Sequence, residues 1–217
     1  YKRLEDGNIG PNTGGMGSFA QPGIWNSELS TQVESTIIRP VLQAMSERGT
    51  PYKGVLYAGL MLAESGPKVL EFNCRLGDPE TQVVIPLLAS DPLELMMACA
   101  QGNLGKTNVS WDNRNYVGVV MVSGGYPGEY KTGFEISGLD EDGPKDTMVF
   151  HAGTKLDPIG TPLTAGGRVL TVVGGGDTIE SARDRAYSRL ELIGFQDAHW
   201  RRDISSSANQ NAAETTG

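Results

Sequence analysis

The sequence predicts an α+β fold, in which antiparallel strands and helices occupy separate stretches of the chain. Two apolar runs, "KGVLYAGLML" (53–62) and "KVLEFNCRL" (68–76), are joined by the short segment "AESGP" and predict an antiparallel hairpin. Three later runs predict further strands, and one stretch with a helical period follows them. The strands are "YVGVVMVSG" (116–124), "TMVFHAGT" (147–154) and "GRVLTVVGG" (167–175). The helix is predicted over about 178–192, with one apolar face formed by Ile179, Ala182, Ala186 and Leu190.

The composition limits the classes of partner. A length of 217 residues allows one large domain or two modest ones. The net charge of -8 argues against nucleic acid as the main partner, because phosphate backbones are bound by basic surfaces. No apolar stretch is long enough to cross a bilayer, so no membrane partner is expected. Two cysteines, Cys74 and Cys99, fit a reducing, cytoplasmic compartment better than a disulfide framework.

Helical periodicity marks the segments between the strands. Apolar residues recur every three or four positions over 27–48, which predicts a helix with a kink or break at Pro40 and an end at Gly49. A second helix is predicted to begin after Asp78. A third is predicted in "DPLELMMACAQG" (91–102), where an N-cap residue and Pro precede the apolar positions and Gly follows them.

A polar segment without periodicity, "NLGKTNVSWDNRN" (103–115), is the predicted domain boundary. It divides the chain into a first domain over 1–102 and a second over 103–204. The low-complexity residues 205–217 are expected to form a disordered tail. Because the sequence opens at "YKRLEDG" without Met, we expect it to be a piece of a larger protein.

The segment "EFNCRLGDPETQ" (71–82) carries the main functional signal. Successive side chains of a strand point to opposite faces. One face here bears a carboxylate, an amide and a guanidinium, namely Glu71, Asn73 and Arg75. The other face is apolar or small and is predicted to be buried, namely Phe72, Cys74 and Leu76. Because Mg²⁺ prefers oxygen ligands, the polar face suits a hard cation and phosphate groups. A solvated strand face is the alternative that the pattern leaves open.

The loop "GPNTGGMG" (10–17) is the second signal. Its glycines permit positive φ, and consecutive amides of such a loop can form an anion-binding nest. A tight connector without a ligand is the alternative interpretation. No predicted strand precedes the loop, so the P-loop and dinucleotide-binding motifs are rejected.

These segments, together with "SGGYPGEYKTG", "HAGTK" and the terminal "RRDI", resemble the phosphoribosylamine–glycine ligases, also called glycinamide ribonucleotide synthetases. The resemblance runs in order from Lys2 to about Ile204. It implies an ATP-grasp enzyme of purine synthesis, represented by its C-terminal part. The implied fold is the C-terminal half of an ATP-grasp fold over 1–102, followed by a C-terminal ligase domain, which is a small mixed β domain with one long helix.

The resemblance also implies the roles of the polar strand face. Glu71 and Asn73 would hold Mg²⁺, or Mn²⁺, against the phosphates of ATP. The place where many ATP-grasp enzymes add a further ligand aligns with Ala58 or Gly59, which have no ligating side chain. One metal well held by the protein is therefore expected, or a second one held mostly by phosphate and water. Arg75 would be catalytic and would meet the transferring phosphoryl group, although an ion pair with Asp78 or Glu80 is an alternative role.

The acceptor site is implied in the same way. Asp78 and Glu80 would face the amine and hydroxyl groups of 5-phosphoribosylamine, unless they only stabilise the dipole of the helix that follows. The further substrate-binding residues are Lys2, Asn12, Thr13, Gly14 and Gly15.

The implied reaction is the ATP-dependent ligation of glycine to 5-phosphoribosylamine. It proceeds through glycyl phosphate and gives glycinamide ribonucleotide, ADP and phosphate. The chain is expected to need the upstream remainder of its own sequence as a partner and to be inactive alone. The alternatives are another ATP-grasp carboxylate–amine ligase or carboxylase, and a non-catalytic binding fragment. Intact Glu71, Asn73 and Arg75 argue against the last of these.

Overall fold

The computed structural model describes residues 1–206, and the part of the predicted tail from residue 207 onward lies outside the described residues. The first two residues of that predicted tail belong to the fold. Ser205 is buried, and its backbone N–H donates to the hydroxyl of Tyr1 at 2.7 Å. The hydroxyl of Ser206 donates to the carbonyl of Asp203 at 2.8 Å.

The chain has the mixed α/β character predicted, with antiparallel sheets throughout its strand pairs. The strands are β1 (Arg3–Glu5), β2 (Ile9–Asn12), β3 (Gly17–Phe19), β4 (Tyr57–Ala63), β5 (Gly66–Asn73), β6 (Asn115–Val122), β7 (Thr147–His151), β8 (Thr154–Leu156), β9 (Pro162–Thr164) and β10 (Arg168–Gly176). The α-helices are α1 (Ser27–Val33), α2 (Arg39–Glu47), α3 (Thr81–Val84), α4 (Pro92–Gln101) and α5 (Ile179–Leu190).

Two compact units are present, and each is discontinuous in sequence. The sheet unit comprises Tyr1–Gln21, Asp78–Leu87 and the residues from Asp112 onward, and the hairpin unit comprises Pro22–Gly77 and Leu88–Trp111. The predicted ranges 1–102 and 103–204 are continuous and therefore differ from these units. The reason is strand pairing, because β3 from the start of the chain pairs with β6 from its second half. Within the predicted linker, the chain passes from one unit to the other between Trp111 and Asp112.

A four-stranded sheet in the order β3-β6-β10-β7 forms the centre of the sheet unit. All residues of β10 after Arg168 are buried, because both faces of the strand are covered. Val172 packs with Ala182 and Ala186 of α5, whereas Val173 packs with Val83 of α3 on the opposite face. The apolar face of α5 predicted from the sequence is therefore the face that packs on this sheet.

The glycine run 174–176 belongs to β10 and serves packing, not phosphate binding. A Cβ on Gly174 would lie 2.2 Å from the carbonyl oxygen of Ala182, so only glycine allows the helix to approach the strand this closely. Helix α5 then begins with a capping box, in which the hydroxyl of Thr178 accepts a hydrogen bond from the backbone of Ser181 at 3.2 Å.

In the hairpin unit, the helix predicted over 27–48 forms as α1, a π-helical stretch (Glu34–Ile38) and α2. Pro40 has no N–H to donate, and its ring crowds the carbonyl four residues earlier. The π-helical stretch ends two residues before this proline, so the predicted disturbance takes the form of a π-helical turn and not a break. Gly49 follows the helix with φ of 76°.

The predicted hairpin is confirmed, since β4 pairs antiparallel with β5 and Ala63 lies opposite Gly66. Helix α4 is confirmed as well, with Asp91 as its N-cap and Gly102 in the left-handed conformation at its end. Within residues 1–206, no helix is long and apolar enough to span a membrane.

One prediction about this hairpin is wrong. Strand β5 ends at Asn73, and Phe72 and Cys74 are exposed, not buried; Leu76, on the same predicted face, is also exposed. Alternation along a strand decides which side chains share a face, but burial requires a further layer packed on that face. The β4–β5 pair is a two-stranded sheet, which supplies no such layer by itself.

Candidate functional site

Three segments of the sheet unit meet at residues 12–15, hereafter the glycine loop. The peptide groups of Gly14 are held from two directions. Its N–H donates to the hydroxyl of Tyr126 at 2.9 Å, and its carbonyl accepts from Nη1 of Arg168 at 3.1 Å. The loop is therefore fixed by side chains that lie more than 100 residues later in the sequence.

The same arginine holds residues 78–80, hereafter the Asp78 turn. Nη1 of Arg168 donates to the carbonyl of Asp78 at 2.9 Å, and Nη2 donates to Oδ2 of its carboxylate at 2.7 Å. The other carboxylate oxygen, Oδ1, accepts from the side-chain amide of Gln82 at 3.1 Å. Both oxygens of Asp78 are therefore engaged by protein donors.

Direct packing joins the loop to the turn. Gly15 has φ of 120°, and a Cβ at this position would lie 2.6 Å from Cδ of Pro79. The hydroxyl of Ser18 donates to the carbonyl of Pro79 at 2.8 Å and fixes the turn from the other side. The second glycine of the "TGG" sequence is thus explained by its conformation and by this close approach.

The amides of the glycine loop do not form the anion-binding nest considered from the sequence. All four N–H groups from Thr13 to Met16 donate to protein oxygens. Their acceptors are the carbonyl of Lys2 (2.8 Å), the hydroxyl of Tyr126 (2.9 Å), the hydroxyl of Thr13 (2.9 Å) and the carbonyl of Tyr1 (2.8 Å). The loop is therefore a tight connector, and any ligand would meet its side chains and not its amides.

The other acceptor-site residues predicted from the sequence divide into two groups. The hydroxyl of Thr13 is buried and donates to the carbonyl of Lys2 at 3.0 Å, so it serves the loop itself. Asn12 ends strand β2 and is exposed, and Glu80 is half-buried. Glu80 directly precedes α3, but its side chain does not cap the helix, which is only 4 residues long. The side chains of Asn12 and Glu80 are therefore at least partly open to solvent.

The polar face of β5 belongs to the hairpin unit. Glu71 and Asn73 lie on one face, where they pair with Gly59 and Tyr57 of β4. A Cβ on Gly59 would lie 3.1 Å from Cγ of Glu71, so the side chain of Glu71 lies across this glycine. Arg75 lies beyond the strand and donates from Nη1 to the carbonyl of Leu76 at 2.8 Å.

The donor set of this face fits one divalent cation of the Mg²⁺ type. A carboxylate and an amide oxygen are hard ligands, and Mg²⁺ is commonly held by one or two protein groups together with phosphates and water. No cluster of three or more His, Cys, Asp or Glu side chains able to hold a metal occurs among the described residues. A cation at Glu71 and Asn73 would therefore depend on a phosphate-bearing ligand for the rest of its coordination.

Sequence reasoning missed Arg168, Tyr126 and Gln82. A signal for Tyr126 was present, because the motif "SGGYPGEYKTG" contains it. A weaker signal for Arg168 was the pair of glycines before it. A Cβ on Gly167 would lie 2.3 Å from Cδ2 of Tyr126, so the tyrosine ring lies directly on this glycine. Nothing in the local pattern pointed to Gln82.

Two family models match the chain in succession. The ATP-grasp (A) domain of phosphoribosylglycinamide synthetase matches residues 1–81, and the C domain of the same synthetase matches residues 116–207. The matched ranges include the glycine loop and the polar face of β5 in the first model, and Tyr126 and Arg168 in the second.

Curated relatives and solved structures agree with these matches. The chain is 47% identical over 205 residues to the phosphoribosylamine–glycine ligase of Caldanaerobacter subterraneus, covering 94% of this chain and 48% of the relative. It is 45% identical over 205 residues to the ligase of Escherichia coli O6:H1, with the same coverage of 94% and 48%. The chain thus spans about half the length of the curated relatives it matches.

Among solved structures, the phosphoribosylamine–glycine ligase of Thermotoga maritima is similar with a TM-score of 0.82 and 38% identity, covering 94% of this chain and 50% of that one. The biotin carboxylase domain of the Hydrogenobacter thermophilus 2-oxoglutarate carboxylase, solved with MgADP, has a TM-score of 0.60 at 18% identity, covering 84% of this chain and 39% of that one. At this identity the second likeness concerns the fold alone.

Proposed function

Because the chain belongs to the phosphoribosylglycinamide synthetase family, we propose that it takes part in the ATP-dependent ligation of glycine to 5-phosphoribosylamine. In this reaction, a glycine carboxylate oxygen attacks the γ-phosphorus of ATP, and ADP leaves. The amine of 5-phosphoribosylamine then attacks the carbonyl carbon of glycyl phosphate, and phosphate leaves as glycinamide ribonucleotide forms. The division into an ATP-grasp half over 1–102 and a ligase domain over 103–204 stays a prediction.

The observation that carries this proposal is the polar face of β5. Glu71 and Asn73 would hold Mg²⁺, or Mn²⁺, which when bound would neutralise the charge of the ATP phosphates. Gly59 lies opposite Glu71, so the neighbouring strand adds no side chain to the donor set at this position. Arg75 carries a positive charge two residues beyond Asn73 and would stabilise the transferring phosphoryl group.

In the sheet unit, we assign the acceptor to Asn12 and Glu80. The exposed amide of Asn12 would donate to hydroxyl or phosphate oxygens, and the carboxylate of Glu80 would accept from the amine. Lys2 would add positive charge at the same end of the unit. The buried Thr13, the two glycines and Asp78 would act through the shape of the loop and the turn, since their polar groups are already bonded within the protein. The substrates are small molecules, and we propose a cytoplasmic location for their ligation.

The test is an assay of the full-length protein with ATP, glycine and 5-phosphoribosylamine. The proposal requires that ADP release depends on glycine and on a divalent cation, and that glycinamide ribonucleotide appears in equal amount. Glutamate, aspartate and bicarbonate in place of glycine distinguish another ligase or a carboxylase. Faster turnover with one of these alternative carboxylates, or with a different amine, would refute the assigned substrates. An absence of ATP turnover with every substrate tested would refute the ligase activity.

A further inference from the structure

We infer that Arg168 is the positioning residue of the acceptor site, because it holds the glycine loop and the Asp78 turn in one arrangement. The part of this inference that concerns acceptor binding rests on the proposed function. The part that concerns the loop geometry does not. Arg168 would touch neither reacting group and would act through the loop and the turn.

The backbone of Arg168 is held in the central sheet. Arg168 begins β10, the strand paired on both sides in the central sheet. The N–H of Ser123 donates to the carbonyl of Gly167 at 2.8 Å, and its hydroxyl donates to the carbonyl of Gly166 at 2.9 Å. Ser123 also begins the segment that carries Tyr126. The side chains of Tyr126 and Arg168, which hold Gly14, therefore come from two segments that are hydrogen-bonded to each other.

The contacts require an arginine. One guanidinium reaches three acceptors, which are the carbonyl of Gly14 and the carbonyl and carboxylate of Asp78. A planar fork with five N–H donors can make these bonds together, whereas the ammonium of lysine is a compact point charge that lacks this fixed geometry. The side chain is 22% exposed, so these hydrogen bonds are only partly screened by water.

The arrangement also changes the role of Asp78. Its carboxylate is shared between Arg168 and Gln82, so it holds the turn and does not meet the acceptor. The conformation of the turn therefore sets the direction in which the side chain of Glu80, two residues later, points. Asn12 lies two residues before Gly14, at the end of β2, where it pairs with Arg3 of β1. Loss of Arg168 would therefore remove a hydrogen-bonded hold close to each of the two ligand-facing side chains.

The first test uses the 217-residue chain and needs no substrate. Hydrogen exchange of the Gly14 and Gly15 amides is measured by NMR in Arg168→Met, Arg168→Lys and Tyr126→Phe. We expect exchange roughly 10-fold faster or more in all three variants, because each loses a hold on the loop. If Arg168→Met does not fold, the lysine and phenylalanine variants still provide the measurement.

A matched control is Arg114→Met. Arg114 also forms a partly exposed ion pair, 3.0 Å from Asp146, with its side chain 28% exposed. Its loss should leave the exchange of the two glycine amides within twofold of that in the unsubstituted chain. Equal exchange in the Arg168 variants and in this control would overturn the inference.

The second test is kinetic and uses the full-length protein. Arg168→Lys should raise the apparent KM for 5-phosphoribosylamine about 10-fold, with the KM values for ATP and glycine within twofold of the unsubstituted enzyme. A general loss of folded structure would instead change the KM values for all three substrates together. A loosened loop with an unchanged KM for the amine would overturn the assignment to acceptor binding. An unsubstituted protein without ligase activity would instead refute the proposed function and leave the exchange result standing.

Discussion

Nη2 of Arg168 lies 2.7 Å from Oδ2 of Asp78, although 90 residues separate the two in the chain. The same guanidinium bonds the carbonyl of Gly14, another 64 residues before Asp78 in the sequence. Two motifs that look independent in the sequence, "GPNTGGMG" and "GDPE", are therefore packing partners. Their common partner is an arginine at the start of β10.

Gly15→Ala should lower the stability of the sheet unit by about 3 kcal/mol or more. The new Cβ would lie 2.6 Å from Cδ of Pro79, at a φ of 120° that alanine rarely adopts. Urea unfolding followed by circular dichroism measures the change. Gly133→Ala is the matched control, because its φ is 91° and its Cβ would meet no atom within 4 Å. Backbone strain alone should cost it about 1 kcal/mol. Equal losses in the two variants would contradict the packing explanation.

Glu71→Gln should reduce kcat/KM of the full-length ligase about 100-fold or more, because the amide keeps the size of the side chain but removes the charge that holds the cation. Excess Mg²⁺ should restore only part of the activity. Initial rates measured over a series of Mg²⁺ concentrations test both statements.

The control for the metal prediction is Glu64→Gln, which removes a carboxylate from the turn of the same hairpin, away from the polar face of β5. Its rates should stay within twofold of the unsubstituted enzyme. An unchanged turnover and an unchanged Mg²⁺ requirement in Glu71→Gln would show that the carboxylate has only a structural role.

Glu80→Gln should behave differently from Glu71→Gln. We expect a higher apparent KM for 5-phosphoribosylamine, by about 10-fold, because a neutral amide accepts more weakly from an amine than a carboxylate does. The dependence of the rate on Mg²⁺ should be unchanged. Steady-state kinetics with the amine as the varied substrate provide the measurement, and a shifted Mg²⁺ optimum would argue against the assignment of Glu80 to the acceptor.

Asp203 should make stability depend on pH in the acidic range. The bidentate hydrogen bonds from the buried guanidinium of Arg201 hold its pKa at about 2, below its ordinary value of 3.8. A lowered pKa in the folded state stabilises the fold above the unfolded pKa, and this stabilisation is lost as the pH falls from about 4 to 2. The loss should be about 2 kcal/mol. Urea unfolding at pH 7, 4 and 2 measures it.

Asp203→Asn isolates this contribution. At pH 7 the variant should be less stable by about 3 kcal/mol, since it leaves the charge of Arg201 buried without its partner. The difference between the two proteins should narrow as the pH falls toward 2. Asp140→Asn, at an exposed position, serves as the control and should follow the unsubstituted chain at every pH. A difference that is constant with pH would exclude the ion pair as its cause.

Local patterns predicted the longer elements but not the short strands β1, β2, β3, β8 and β9, two of which precede the glycine loop. The hairpin of β4 and β5, the capped helix α4 and the apolar face of α5 were all visible in the spacing of side chains and in the residues at the element ends. The alternation of Glu71 and Asn73 on one face was equally readable, because the side-chain direction in a strand follows from the backbone geometry of neighbouring residues. The burial of Phe72 could not be read in this way, since it depends on what packs against the strand.

The sequence by itself therefore determined the longer strands and helices, the family and the polar face of β5, because each is encoded by neighbouring residues or by long ordered motifs. Only the tertiary structure decided that Asp78 bonds Arg168 and that the amides of the glycine loop are already satisfied. It also decided that the start of the chain joins the second half through the β3–β6 pairing. The physical reason is that such hydrogen bonds join groups far apart along the chain. Which groups meet is decided by the path of the folded backbone, and the local spacing of residues in the sequence does not encode it.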